Sequence, residues 1–466
     1  MKKILCLIIM MFSMSCFAQQ ITSQDALQIA VSLFKKQNFN NSVEAITPYN
    51  NAEGETLYFI VNASPASYAI ISATELVNPV IAWSVTSQFD AEMPFAKILE
   101  VDIEHRILLY SMLTENQKHD IQEQWISLRN SEYRHPAVQS WPEEGTTASG
   151  GWIETLWTQT FPYNIMCPMD SVTNSRSYAG CPAIVMGQII NYLKTTMCTR
   201  FDDNDDYHHN YSGRNYNIDD DAELIDFPSF PELNIWLDSI DVVFNAGKDA
   251  TDSLAAAIVF ACGTACTQVY TSIGSGTFAV SQAFEAYKRF GFDKCELYET
   301  TDPAMYAKLI SNMKNGFPAH LAVVDAAWQT GHNVAVDGYR EDGYYHINFG
   351  WGGSCNGWWL IPDPNFPYSL SVLEGIVLDI IPDNIGVTEI THENNTIFYP
   401  NPADDMIYLK DNLVTNSKYF IYSINGQKVQ SGFTDGNIFI GNLKNGLYIL
   451  KLQTAGEISC TKLIIR

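Results

Sequence analysis

The stretch AGCPAIVMGQIINYL, residues 179–193, sets a cysteine and a proline side by side at the head of a long apolar run. Proline has no N–H and a fixed φ, so it suits the first position of a helix. The segment therefore reads as a helix with Cys181 as its N-cap. Ile184, Val185, Met186, Ile189, Ile190 and Leu193 are apolar on several sides, so the helix is expected to be buried. Its N-terminus carries unpaired N–H groups and a positive partial charge, and both favour thiolate over thiol. The thiolate is the nucleophilic form. The same segment also suits a capping or core cysteine, and alone it does not choose between them.

A nucleophilic thiol needs a base. Of nine histidines, His332 stands out in QTGHNVAVDGYREDGYYHINFGWGGSCNGWW. Gly331 before it lets backbone or a ligand approach closely. His332 opens one strand-like run, NVAVDGY, and a second, YYHINF, follows a turn at Glu341-Asp342-Gly343. Alternation puts His346 and Asn348 on one face and Tyr345, Ile347 and Phe349 on the other. Asn348 can then orient the His332 ring, which gives the nucleophile–base–orienter logic of a Cys-His-Asn site. The spacing, 332 − 181 = 151, suits a two-subdomain cysteine protease.

Composition narrows the setting. The 466 residues are 46% hydrophobic and 17% charged, which is globular and implies two to four units. A net charge of −25 repels nucleic acid and anionic membranes, so a nucleic-acid role is set aside. MKKILCLIIMMFSMSCFAQQ reads as a secretory signal over 1–18, with Lys2 and Lys3 before an apolar run and Ala18 at the cleavage position. No later stretch is long and apolar enough to span a bilayer. Ten cysteines show no repeated CxxC pair, so a zinc site is not expected. Asp202, Asn204 and Asp206 alternate like calcium ligands, but Tyr207 stands where that loop needs glycine and no glutamate closes it. A solvated loop is the preferred reading there, and no metal or cofactor is expected.

Residues 19–140 read as a first α+β unit. One helix carries Ala26, Ile29, Ala30, Leu33 and Phe34 on a single face, with Ser23 or Asp25 as cap, and the strands are TLYFIVN, SYAIISA and PVIAWSV. HPAVQSWPEEGTTASGG, 135–151, has the Pro, Gly, Ser and Thr of a linker, with 141–151 as the activation region. The main unit spans 152–383 and a second linker 384–395. Residues 396–466 read as a small all-β sandwich, with hairpin signals at Asn425-Gly426 and Asn445-Gly446.

WTQTFPYNIMCP, AGCPAIVMGQIINY, GHNVAVDGY and YYHINFGWGG together resemble successive blocks of the streptopain-like cysteine peptidases. The resemblance implies a papain-like α+β fold in two subdomains, preceded by an α+β prodomain. It places the nucleophile on Cys181, the base on His332, the orienting asparagine on Asn348 and an oxyanion donor on Gln159, beside the Cys181 N–H. This chain departs from the family's pattern at Pro182, where valine is frequent, and at Phe349, where tryptophan is usual; Trp351 is retained. ACGTACTQVYTSIGSGTFA, 261–279, resembles the family's loop at the substrate cleft, which nominates Ser275 and Gly276 with Gly331 and Trp351 as substrate-binding residues. A plain turn accounts for that loop equally well. Residues 19–140 resemble the family's prosegment, an intramolecular inhibitor. The tail resembles the sorting domain of type IX secretion cargo, which implies that machinery as a partner and a secreted or surface-attached product. The expected function is a secreted endopeptidase made as a zymogen, acting on proteins or extended peptides with apolar side chains near the scissile bond. The alternatives are a non-catalytic peptide-binding surface protein and a Cys-His acyl transferase or transpeptidase.

Overall fold

The computed structural model describes residues 20–37, 39, 42–93, 95–130, 138–299, 303–324, 331–361, 373–382, 398–409, 417–423, 428–453 and 458–466. The leader at 1–18 and the linker at 384–395 lie outside them. The chain divides into two compact units, Met1–Ile385 and Gly386–Arg466.

In chain order the first unit starts with α1 (Ser23–Lys36), β1 (Val43–Asn50), β2 (Thr56–Ala63), β3 (Ser67–Ser72), β4 (Val80–Ser84), α2 (Phe95–Leu109) and α3 (Glu115–Arg129). Short strands β5 (Ser140–Trp141), β6 (Met169–Asp170) and β7 (Ser175–Arg176) lead to α4 (Cys181–Leu193). The hairpin of β8 (Tyr207–Tyr211) and β9 (Arg214–Ile218) precedes α5 (Phe230–Asn245), α6 (Asp252–Ala265) and α7 (Val280–Arg289). The unit closes with β10 (Glu296–Tyr298), α8 (Pro303–Lys314), β11 (Ala319–Val324), β12 (Gly331–Arg340), β13 (Tyr344–Asn348), β14 (Gly357–Leu360) and β15 (Leu373–Leu378).

Helix α1 buries the five residues its periodicity predicts. Its cap is Thr22 rather than Ser23 or Asp25. The Thr22 hydroxyl accepts from the Asp25 N–H at 3.2 Å, and the Asp25 carboxylate accepts from the Thr22 N–H at 2.9 Å. This reciprocal box satisfies two otherwise orphaned donors.

One sheet organises the unit, in the order β1-β2-β3-β4-β14-β13-β12-β11-β15-β10, with β5 beside β12. The first strands are thus continuous with the later ones. The seam is antiparallel, pairing Trp83 with Trp358 and Ala82 with Trp359. Alternation sorts the side chains. Tyr58, Ile60 and Ile70 share a core with α2, α8 and the inner residues of β11 to β14, whereas Phe59, Val61, Ala69 and Ile71 pack with α1 and α3. Burial on both faces explains why these strands read as unbroken apolar runs. Farther along the sheet, Ala322, Ala335 and Val377 face the core formed by α4, α5, α6 and α7. Leu321, Val334, Val336 and Ile376 face the other way, into the core with α2. A helix-rich half and a sheet-rich half therefore meet along β12, as a two-subdomain α+β fold requires. In the acidic stretch, Asp205 pairs with Arg289 at 2.7 Å and Asp202 accepts from the Asn204 N–H.

The second unit consists of β16 (Phe398–Tyr399), β17 (Met406–Leu409), β18 (Ser417–Ser423), β19 (Lys428–Thr434), β20 (Asn437–Phe439), β21 (Gly446–Gln453) and β22 (Ile458–Ile465). Two sheets, β16-β17-β20 and β19-β18-β21-β22, enclose Ile407, Ile421, Ile438, Leu450 and Leu463. This is the expected sandwich. Asn425-Gly426 lies outside the described residues, between the paired strands β18 and β19. Asn445-Gly446 does not close a hairpin, because it joins β20 of one sheet to β21 of the other.

Candidate active site

The helix that carries Cys181 starts one residue earlier than the Cys-Pro pair predicts. Gly180 is the N-cap, Cys181 the first helical residue and Pro182 the second. Gly180 turns the chain with φ of 85°, a region that favours glycine. A Cβ there would also lie 2.5 Å from the Gln268 Oε1. Gln268 is fully buried, and its amide donates to the Ala179 carbonyl at 2.7 Å. The Ala179 N–H in turn donates to the Gln159 carbonyl at 2.8 Å. Gln159 is thereby anchored two residues from the turn into Cys181, and its half-exposed side chain has no hydrogen-bond partner among the described residues.

Burial pushes the Cys181 thiol up; donors at Asn333 and the Cys181 N–H pull it down, and the net direction is upward. The helix end alone does not keep a thiolate here. The side-chain partner of the sulfur is Asn333, whose Nδ2 donates to Sγ at 3.6 Å, a length suited to sulfur's larger radius.

His332 sits at the start of β12 and is buried. Its Nε2 lies 2.8 Å from the Phe349 carbonyl oxygen. A carbonyl only accepts, so Nε2 carries the proton and Nδ1 holds the lone pair. Trp351 stacks on the ring, with centroids 4.3 Å apart and planes at 25°. Burial lowers His332 to about 4, partly opposed by the Phe349 carbonyl. Both shifts favour the neutral forms, thiol and imidazole, and no hydrogen bond joins the two side chains among the described residues.

Asn348 does not orient His332. Its amide donates to the Thr155 carbonyl at 3.0 Å, and its Oδ1 accepts from the Gly350 N–H at 3.0 Å and from Gln188 at 3.3 Å. The reason is strand parity. Asn348 pairs with Ala335, so it shares a face with Asn333 and Ala335, whereas His332 has the opposite parity. The orienting group is the backbone carbonyl one residue later, which a side-chain reading passes over. Asn333, directly after the histidine in GHN, is the residue whose side chain faces the sulfur.

The nominated substrate residues divide. Gly331 is exposed and pairs with Val324. Trp351 belongs to the histidine's surroundings. The Ser275 Oγ accepts from the Thr271 N–H at 2.9 Å and closes the turn. Gly276 pairs with Val269, and a Cβ on it would lie 4.0 Å from the Pro182 ring. That loop therefore runs beside the residue after Cys181, and it exposes Ile273 and Phe278, 77% and 70% accessible.

Comparison with known proteins gives this geometry a context. Residues 157–359 match the Peptidase C10 family. The central segment is a Peptidase C10 domain. C10 is a family of cysteine peptidases with prodomains. Before the C10 domain, residues 18–101 match the Spi protease inhibitor family, and after it residues 397–466 match the secretion system C-terminal sorting domain. The sorting domain marks a chain for type IX secretion, to the medium or the cell surface. The chain is similar to the thiol protease/hemagglutinin PrtT of Porphyromonas gingivalis, 25% identical over 211 residues. The match takes in 43% of this chain and 22% of that protein, so the chain spans about a fifth of the length of this relative. Among solved structures, a prointerpain A fragment of Prevotella intermedia is 19% identical, with a TM-score of 0.48, over 73% of this chain and 99% of that one. Active interpain A is 21% identical, with a TM-score of 0.37, over 52% and 98%. No helix among the described residues is long and apolar enough to cross a membrane.

Proposed function

We propose that the chain is the zymogen of a secreted cysteine endopeptidase, with Cys181 as nucleophile and His332 as base. The observation that carries this reading is the Phe349 carbonyl on the His332 Nε2, which leaves Nδ1 as the basic atom of a ring one residue before Asn333, whose amide contacts the Cys181 sulfur. Nδ1 takes the thiol proton and Sγ attacks the peptide carbonyl. The Cys181 N–H and the unengaged Gln159 amide donate to the developing oxyanion. The amine leaves with the proton, and water, deprotonated by His332, releases the acyl group. The 269–278 loop, with Ile273 and Phe278 exposed, favours extended peptides with apolar side chains.

The prosegment restrains this site from behind. Its Phe95 ring meets Phe349 edge-on at 4.7 Å, the Ser87 Oγ donates to the Gly353 carbonyl at 2.8 Å, and the Cys355 N–H donates to the Gln88 carbonyl at 3.1 Å. It thus grips the loop whose Phe349 and Trp351 hold His332. Activation cuts within 141–151, and N-terminal sequencing should find roughly 130 to 150 residues removed. The deciding test is casein cleavage by the processed enzyme and by Cys181→Ala. Equal rates would end the peptidase reading.

A further inference from the structure

Behind the sulfur lies a line of polar groups that the Cys-His chemistry does not use. Asn333 on β12 donates from Nδ2 to the Cys181 Sγ at 3.6 Å. Its Oδ1 lies 2.7 Å from the Nε2 of His320, and the His320 Nδ1 lies 3.2 Å from the Tyr287 hydroxyl. His320 and Tyr287 are fully buried and Asn333 is 8% accessible. His320 pairs with Ala335 and Ala322 with Asn333, so His320 and Asn333 are diagonal neighbours on one face of the sheet. Tyr287 reaches them from α7.

The donor directions agree along the whole line. An amide oxygen only accepts, so His320 is protonated on Nε2, its Nδ1 accepts, and Tyr287 donates. Each group fixes the next, and the last N–H is aimed at sulfur. Burial lowers His320 to about 4, so the ring stays neutral and this single tautomer persists at neutral pH. Three polar side chains buried side by side are not explained by packing, since apolar residues would fill the space.

We propose that Asn333 is a thiolate-stabilising residue of the active site, and that His320 and Tyr287 are positioning residues which fix its amide with the N–H toward Cys181. The proposal rests on the reading of Cys181 as nucleophile. It adds a donor that strengthens when the proton leaves sulfur, because hydrogen bonds to charged acceptors are the stronger ones. The other ionisable groups that act on the sulfur or feel it are Glu374 on β15 and Cys266 at the end of α6. Neither supplies an N–H from a neutral, fixed amide.

The test follows iodoacetamide alkylation of the Cys181 peptide against pH in the full chain, by mass spectrometry. Asn333→Ala should move the midpoint about one pH unit higher and slow alkylation at neutral pH about tenfold. Asn333→Asp, which replaces the donor with a charged acceptor, should move it farther. His320→Leu should shift it in the same direction by less, and His320→Gln, which keeps an N–H near the Nε2 position, should restore it. Tyr287→Phe should have the smallest effect. A folded Asn333→Ala protein with the original profile overturns the proposal, and so do equal profiles for Ala and Asp. Should Asn333→Ala not fold, the His320 pair decides, since equal profiles for Leu and Gln refute the relay. Alkylation reads the thiolate without peptide hydrolysis. A shifted profile beside a casein test that fails would keep the relay and discard the peptidase reading, and the reverse result would do the opposite.

Discussion

The N-terminal segment shares a core with the segment that matches Peptidase C10, whereas the sorting domain has a core of its own. The prosegment lends four strands to the long sheet, and its Phe95 packs against Phe349 and Trp359. The sorting domain closes its two sheets over its own isoleucines and leucines. Similar sequence boundaries thus mark one element that is part of the catalytic unit and one that folds around itself.

The comparison breaks most clearly with a pair of core truncations. Phe95→Ala should cost about 3 to 5 kcal/mol of unfolding free energy, as large buried aromatics do. It should also change the Cys181 alkylation rate, because Phe349 loses its support. Ile421→Ala in the sorting domain should cost about 2 to 5 kcal/mol in that unit and leave Cys181 unchanged. Urea melts with alkylation as a second readout would show both effects. If Ile421→Ala alters Cys181 reactivity, the two units are not separate in the sense argued.

Acid should separate them next. The folded value of His320, about 4, lies below its ordinary 6.5. Its contribution is therefore fully present above pH 6.5 and is lost as pH falls toward 4, because the unfolded chain takes a proton that the folded chain refuses. The loss is about 3 kcal/mol, and His332 adds to it in the same direction. From Phe398 onward the sequence has no histidine, so the sorting domain should lack this drop. His320→Gln should flatten the melting midpoint of the first unit between those pH values. An unchanged slope would place the acid sensitivity elsewhere.

The smallest expected effect sharpens what sharing a core means. Thr22→Ala removes the α1 cap and should cost about 1 kcal/mol. Helix α1 packs on the sheet face away from Phe349, so stability should fall while Cys181 alkylation keeps its rate. A changed rate would show that the whole sheet, rather than the Phe95 contact, transmits to the site.

Much of this was legible in local sequence because local rules decided it. The five buried positions of α1, the apolar run of α4 and the alternation in YYHINF all follow from periodicity within one element. Pairings between distant elements were not. Nothing near Trp83 announces that it will lie beside Trp358. The site shows the same division. Cys181 and His332 are proposed from helix chemistry, spacing and the family resemblance, and the structure gives each its surroundings. Asn348 was assigned by residue type, and strand parity turned it away. The Phe349 carbonyl is invisible to residue-type reasoning, and His320 enters only because β11 lies beside β12. Asn445-Gly446 has hairpin chemistry, yet the chain there passes between sheets.

The seam between β4 and β14 separates two events that zymogen activation usually joins in one word. A cut within 141–151 would break one covalent bond and none of the hydrogen bonds between Trp83 or Ala82 and their partners. Nicking and departure would then have different rates, the second set by how fast four strands peel from a sheet. Were the four strands to leave, β14 would become an edge with unpaired N–H and C=O groups and two tryptophans beside them, a template for any other extended chain. The freshly bared enzyme would thus carry, next to its cleft's supporting loop, a strand edge ready to receive a new neighbour.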